Sequence, residues 1–161
     1  MVHLEKVTHK NVWDIVELEI FESQHPFIAS NEQSLMEAYI AITSGTAYAY
    51  PFGIYDDETL VGFLMIGYHE GAIDENPPKA TLENYTLWRL MIDKRYQRKG
   101  YGREAIRLAL EFIRTWPYGR TDYCALSFKP ENVVAKKLYQ SFGFIENGEM
   151  DGDETIAVLK L

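Results

Sequence analysis

Between Leu87 and Trp116 the chain passes from an apolar run, through a short basic turn with two glycines, into an amphipathic stretch. That order reads as strand, tight turn and helix, and the rest of the fold has to be arranged around it. The turn is Asp93-Lys94-Arg95-Tyr96-Gln97-Arg98-Lys99-Gly100-Tyr101-Gly102-Arg103. A helix beginning here presents roughly four unpaired N–H donors and about half a positive charge at its N-terminus. Gly100 and Gly102 allow a ligand to approach the backbone closely, so the stretch suits an anion. From Lys94 to Arg103 there are five cationic side chains (Lys94, Arg95, Arg98, Lys99, Arg103) and no acid.

That concentration stands out because the whole chain carries a net charge of −8. Without the five cations, 11 basic residues face 24 acidic ones. Such a balance argues against general nucleic-acid binding, which needs a basic footprint. The acidic remainder suits a cationic substrate through long-range attraction, and equally suits simple solubility. At 161 residues, 47% of them hydrophobic, the chain fits one domain spanning 1–161 with a substantial core. No apolar run approaches the ~20 residues of a bilayer span, and Met1 to Lys10 has no secretory character. Cys124 stands alone, which excludes an internal disulfide and fits a reducing, cytoplasmic setting.

Taken in order, His3 to Val7 alternates as a short strand. A helix follows with Val12, Ile15, Val16, Glu19 and Ile20 at helical spacing. Ser30-Asn31 caps a second helix, Glu32 to Ile42, whose periodicity predicts an apolar side of Leu35, Met36, Tyr39 and Ile42. Gly45 ends it. Tyr48–Tyr55 and Leu60–Tyr68 form a hairpin, with Pro51 marking an irregular or edge position. His69 to Asn84 reads as a polar loop bearing Glu70, Asp74, Glu75 and Glu83, long enough to be functional. Tyr85–Ile92 is a strand. The helix after the basic turn buries Ala105, Ile106, Ala109, Leu110 and Ile113. Tyr123–Phe128 is a strand, Pro130-Glu131-Asn132 opens a helix that Gly143 breaks, and a hairpin about Asp151-Gly152-Asp153 closes the chain. The order βααβββαβαββ predicts a single-domain α/β fold with a mixed central sheet of about seven strands and about four flanking helices.

Two motifs together resemble the Gcn5-related N-acetyltransferase superfamily. One is Gln97-Arg98-Lys99-Gly100-Tyr101-Gly102, which matches Gln/Arg-x-x-Gly-x-Gly/Ala between a strand and a helix. The other is the Asn132-led helix with Ala135, running through Leu138-Tyr139-Gln140-Ser141-Phe142-Gly143-Phe144. Alone the glycine pattern is a weak signal, while the pair in this β–turn–α–β–α order is specific. The resemblance covers nearly the whole chain and implies acetyl-CoA as co-substrate, with no metal. The pyrophosphate would lie on backbone N–H groups of Arg98, Lys99, Gly100, Tyr101, Gly102 and Arg103, next to Gln97. Backbone of Leu90, Met91 and Ile92 would pair with the pantetheine arm, and Asn132 would contact the cofactor further along. Tyr139 would protonate the departing thiolate, a role that suits a phenol. The implied reaction is direct attack by a neutral amine, which leaves Cys124 as a buried bystander.

Within the superfamily the chain is most similar to bacterial spermine/spermidine and diamine acetyltransferases. Gln24-His25-Pro26-Phe27-Ile28-Ala29-Ser30, Val61-Gly62-Phe63, Asp93 to Gln97 and Gly148-Glu149 carry that likeness. It departs at Trp88, which stands where that group has an acid. A polyamine acceptor would need carboxylates near the thioester. Glu22, Glu32, Glu37, Glu70, Asp74, Glu75 and Glu83 are the candidates, with Glu70 and Glu83 as bases for the amine. The other acceptors that fit are a protein N-terminus, a lysine or an amine antibiotic, and a non-catalytic acyl-CoA sensor would keep the same fold. A homodimer through an open strand edge is compatible with the pattern.

Overall fold

The structure, a computed structural model, describes residues 1–161. Its seven strands are β1 (Val2–Lys6), β2 (Tyr48–Asp56), β3 (Thr59–Tyr68), β4 (Tyr85–Ile92), β5 (Tyr123–Phe128), β6 (Ile145–Asp151) and β7 (Glu154–Lys160). The helices are α1 (Val12–Val16), α2 (Asn31–Ser44), α3 (Lys79–Glu83), α4 (Tyr101–Ile113) and α5 (Val133–Gln140), so there are five where about four were expected. All strands join one sheet in the order β1-β2-β3-β4-β5-β7-β6. Pairing is antiparallel except between β4 and β5.

Period-2 alternation sorts the sheet's apolar residues onto two faces. Leu64, Ile66 and Leu87 meet the stripe Ala105, Ile106, Ala109, Leu110 and Ile113 of α4, as the spacing of that helix predicts. Phe63, Met65 and Met91 meet Ile15 of α1 and Ala38 and Ala41 of α2 on the other face. Of the expected apolar side of α2, only Leu35 packs, partly buried against this core. Met36, Tyr39 and Ile42 are exposed, while Asn31, Ser34, Ala38 and Ala41 are buried. Small side chains let the helix lie close to the sheet, and that proximity outweighs hydrophobic periodicity here.

Two further differences shape the site. The first helix stops at Val16 rather than running on through Ile20, because Glu19 is claimed by the basic turn. Its N–H donates to Asp93 Oδ2 at 3.0 Å, and its carbonyl accepts from Lys94 N at 2.8 Å. The segment after β3, expected as a loop, instead makes a 3-10 turn at Glu70–Ile73 and then α3. This turn carries Glu70 inward.

Asp93 anchors the turn from within. It is 1% exposed and accepts from the Arg95 backbone at 2.9 Å and from Arg95 Nε at 2.8 Å, besides Glu19. Burial alone would raise its pKa, but the Arg95 guanidinium and the two backbone donors outweigh that and hold it below the usual value. Its contribution to stability is therefore present above the unfolded value of about 3.9 and is lost as pH falls through the lower folded one. Asp93→Ala is expected to lower the unfolding free energy by about 2–4 kcal/mol at neutral pH, since two backbone donors lose their charged acceptor. Chemical denaturation measures it, and the gap to wild type should shrink as pH falls below the unfolded value.

Candidate active site

The strand pairing opens a cleft. β4 and β5 are joined only at Tyr85–Cys124 and Thr86–Ala125, so they separate from Leu87 onward. On its other edge β4 stays paired with β3 out to Ile92. The β4 edge facing β5 from Leu87 to Ile92 thus has no neighbouring strand, and an extended ligand can pair with it. A bulge at Trp88, between the pairs Met65–Arg89 and Ile66–Leu87, reorients the strand at this point. The cleft has a volume of about 1170 Å³ and runs from the start of α4 to the loop after β3.

One end of the cleft is cationic. None of the seven backbone N–H groups from Gln97 to Arg103 donates to another protein group. They form the turn and the first residues of α4, where Arg98 (φ 62°) and Gly100 (φ 89°) both adopt left-handed backbone. Of the five cations, two are held in ion pairs: Arg95 with Asp93, and Lys94 with Glu19. Arg98, Lys99 and Arg103 remain exposed at the helix start. Arg103 reaches Ser141 Oγ at 3.0 Å. Gly102 is informative because a Cβ there would meet Leu138 and Ile92 only at 3.7 and 3.8 Å, ordinary contact distances. Packing does not demand this glycine, and glycine lowers helix stability by up to about 1 kcal/mol relative to alanine. The bare backbone matters for what approaches from the cleft.

Two expected ligand contacts are committed elsewhere by their side chains. Gln97 Nε2 donates to Ile92 O at 2.9 Å and to Gln24 Oε1 at 2.8 Å, so its amide ties the turn to the 3-10 turn Glu22–Gln24. The Tyr101 hydroxyl donates to Asp56 Oδ2 at 2.7 Å. Both residues can offer only backbone and ring surface to a ligand. Leu90 and Ile92 line the cleft, whereas the Met91 side chain is buried on the opposite face of the sheet. Asn132 lines the cleft and caps α5, its Oδ1 accepting from Ala135 N at 3.3 Å. Tyr139 also lines the cleft, its ring set between Phe128 and Phe144 at centroid distances of 5.9 and 6.2 Å. Burial, and secondarily the Glu154 carboxylate, pushes its phenol up to about 12. Tyr139 therefore enters any chemistry as an O–H donor.

The other end is acidic. Glu37, Glu70, Asp74, Asp151 and Glu154 line it, together with Arg89. Burial pushes the Glu70 carboxyl up to about 8, with Asp74, Asp151 and Glu37 adding to the rise and Arg89 opposing it. The Asp74 carboxyl is raised as well, by burial and then by Asp151 and Glu37. Glu154 is engaged by the Ser127 hydroxyl. Glu83 is not brought into this group: its side chain is 60% exposed at the end of α3, 3.9 Å from Lys79 Nζ. Glu22, Glu32 and Glu75 likewise stand outside the cleft lining. Asp151 and Glu154 come from the closing hairpin, whose sequence signals only a turn, and nothing local in it points to a site 80 residues upstream.

Residues 13–144 match the family described as "Acetyltransferase (GNAT) family". The chain belongs to that family. It is 31% identical over 152 residues to the spermine/spermidine N(1)-acetyltransferase of Bacillus subtilis (strain 168), covering 93% of this chain and 91% of that one. Its fold is similar to that of an aminoglycoside acetyltransferase in complex with coenzyme A (TM-score 0.77, 15% identity, 99% and 95% of the two chains). It is also similar to spermidine N-acetyltransferase from Vibrio cholerae in complex with CoA and spermine (TM-score 0.65, 17% identity, 99% and 94%).

The chain is accordingly an acyltransferase that uses acetyl-CoA, and the cationic end of the cleft fits that donor. Unpaired N–H groups at a helix start, three exposed cations and a glycine with room before it suit a diphosphate. No cluster of His, Cys, Asp or Glu suitable for a metal ion is present, and no helix is long and apolar enough to cross a membrane. Cys124 is fully buried and burial pushes its thiol up to about 12, which removes it as a nucleophile in this GNAT protein.

Proposed function

We propose that this GNAT protein acetylates a primary amine of a polyamine such as spermidine or spermine. One observation carries the reading: the cleft, cationic at the end that suits the donor's diphosphate, is lined at the other by carboxylates gathered about the buried Glu70. Charge of one sign focused in a low-dielectric recess attracts the opposite sign. The similarity to the B. subtilis polyamine enzyme supports the same conclusion.

When bound, acetyl-CoA supplies an activated thioester. Arg98, Lys99, Arg103 and the N–H groups from Gln97 to Arg103 hold its diphosphate, the free edge of β4 at Leu90–Ile92 aligns its arm, and Asn132 contacts it beside α5. Glu70 removes the proton from the attacking ammonium, so that the nitrogen lone pair is free to bond to carbon. Tyr139 donates its proton to sulfur as the C–S bond breaks. Glu83, outside the cleft, has no part in this scheme. The setting is the reducing cytoplasm, the chain works as one domain, and the marginal strands β1 and β6 leave edges through which two copies could pair.

Tyr139→Phe is expected to reduce kcat about 10²–10⁴-fold while leaving acetyl-CoA affinity within twofold, as removal of a general acid should. Steady-state kinetics with calorimetry checks it. The broader reading is tested by following thiol release with spermidine, spermine, a lysine peptide, a peptide N-terminus and an aminoglycoside. Polyamines should give the highest kcat/KM. Activity on the peptides alone would refute the reading, and tight acetyl-CoA binding without turnover on any of them would point to a sensor.

A further inference from the structure

A single guanidinium stands among the acceptor-end carboxylates. Arg89 donates from one terminal nitrogen to Glu37 Oε2 at 2.6 Å and from the other to the Trp88 carbonyl at 2.9 Å. Its Nε–H is buried without a partner. Glu70, 7% exposed, lines the same recess with no hydrogen bond to its carboxyl. Buried polar groups are ordinarily satisfied within a protein. A buried donor without a partner, beside a nearly buried carboxyl that accepts no hydrogen bond, marks this wall of the cleft as a site completed by a ligand.

We infer that Arg89 is a specificity-determining residue: by occupying Glu37 it fixes the number of positive charges the wall can take from an acceptor. The inference rests on the polyamine reading above and deepens it. Glu154, held by the Ser127 hydroxyl, acts on Tyr139 rather than on this group. Of the four that act on one another, Glu37, Glu70, Asp74 and Asp151, Glu37 is neutralised by its ion pair with Arg89. Glu70 faces the reacting amine; its crowded, buried position holds a proton near neutral pH, which passes to solvent as the cation binds and leaves the carboxylate to act as the base. Asp74 and Asp151 remain uncompensated, a subsite for two remote ammonium groups. A triamine such as spermidine supplies one reacting nitrogen and two remote cations. A diamine leaves one carboxylate unpaired, and a tetraamine such as spermine brings one cation more than the wall can neutralise. Arg89 also ties the Trp88 bulge to α2, so the same side chain sets both the charge and the placement of the wall.

The test is kcat/KM for 1,4-diaminobutane, spermidine and spermine in wild type, Arg89→Gln and Glu37→Gln, with acetyl-CoA affinity and thermal melting measured for each variant. Removing the guanidinium frees Glu37, so Arg89→Gln should raise the spermine/spermidine ratio about tenfold. Removing the carboxylate instead leaves Arg89 to cancel one of the two aspartates, so Glu37→Gln should raise the diamine/spermidine ratio about tenfold. Opposite shifts from two partners of one ion pair are not produced by a loss of structure. If Arg89→Gln unfolds because the bulge is lost, the Glu37→Gln ratio decides alone. Equal changes for all three amines overturn the inference and leave the polyamine reading standing. Wild type inactive on all three overturns both.

Discussion

Glu70→Gln is expected to lower kcat/KM for spermidine by about 10²–10⁴-fold, the range ordinary for loss of a general base. It is also expected to make the unliganded protein more stable at pH 9. Both effects follow from one environment. The carboxyl sits in a recess with Asp74, Asp151 and Glu37, and burial pushes its pKa up to about 8. In the unfolded chain the same group ionises near 4.3. Between those values the folded state holds a proton that the unfolded state has released, so stability falls as pH rises through that window and levels off above 8. Glutamine has no proton to lose, so the variant should gain a few kcal/mol over wild type at pH 9 and almost nothing at pH 4. For activity, wild-type kcat/KM should rise with pH to near 8, as the base form of the free enzyme appears, and Glu70→Gln should lose that limb. Parallel pH profiles would remove Glu70 as the base, and unchanged stability at pH 9 would mean the carboxylate is well solvated.

Gly102→Trp is expected to weaken acetyl-CoA binding by at least about 10³-fold while the protein stays folded. The position lies in the first turn of α4, and a Cβ there would find no contact shorter than 3.7 Å. Alanine should therefore be tolerated, and its higher helix propensity should raise the melting temperature slightly. Tryptophan would project beyond that point, over the unpaired N–H groups that the diphosphate needs. Calorimetric titration of the three proteins with acetyl-CoA should give the order wild type, alanine, tryptophan in falling affinity. Gly100 is a poor site for this test, because its φ of 89° strains any other residue whatever the space. Wild-type affinity in Gly102→Trp would mean that the diphosphate does not lie on this helix start.

The cationic end of the cleft was legible in the sequence because it is local. Strand, turn and helix start lie within one continuous stretch, and the spacing of Gly100 and Gly102 states the geometry directly. The stripe Ala105 to Ile113 was equally plain. The acceptor end was not, because it is assembled from α2, the 3-10 turn after β3, the β4 bulge and the β6–β7 hairpin. Glu37, Glu70 and Asp74 could be named among seven acids, but burial is a tertiary property and only burial separates Glu70 from Glu83. Arg89 gave no signal as a lone charge in an apolar strand. Lys94 and Arg95 belong to the five-cation cluster of the sequence, but in the fold Glu19 and Asp93 pair with them. The exposed side of α2 inverts its pattern for a related reason: close approach to the sheet selects small residues, which periodicity does not weigh.

Transfer of acetyl directly from acetyl-CoA to a polyamine, in a cleft cationic at one end and acidic at the other, is most directly tested by mass spectrometry. Protein, acetyl-CoA and spermidine are incubated together, and both the small-molecule product and the intact protein are weighed. The expected result is monoacetylated spermidine equimolar with released CoA thiol, and protein of unchanged mass even when spermidine is omitted, as a buried, unreactive Cys124 requires. Unmodified spermidine, or an acetyl group carried on the protein before amine is added, would contradict it.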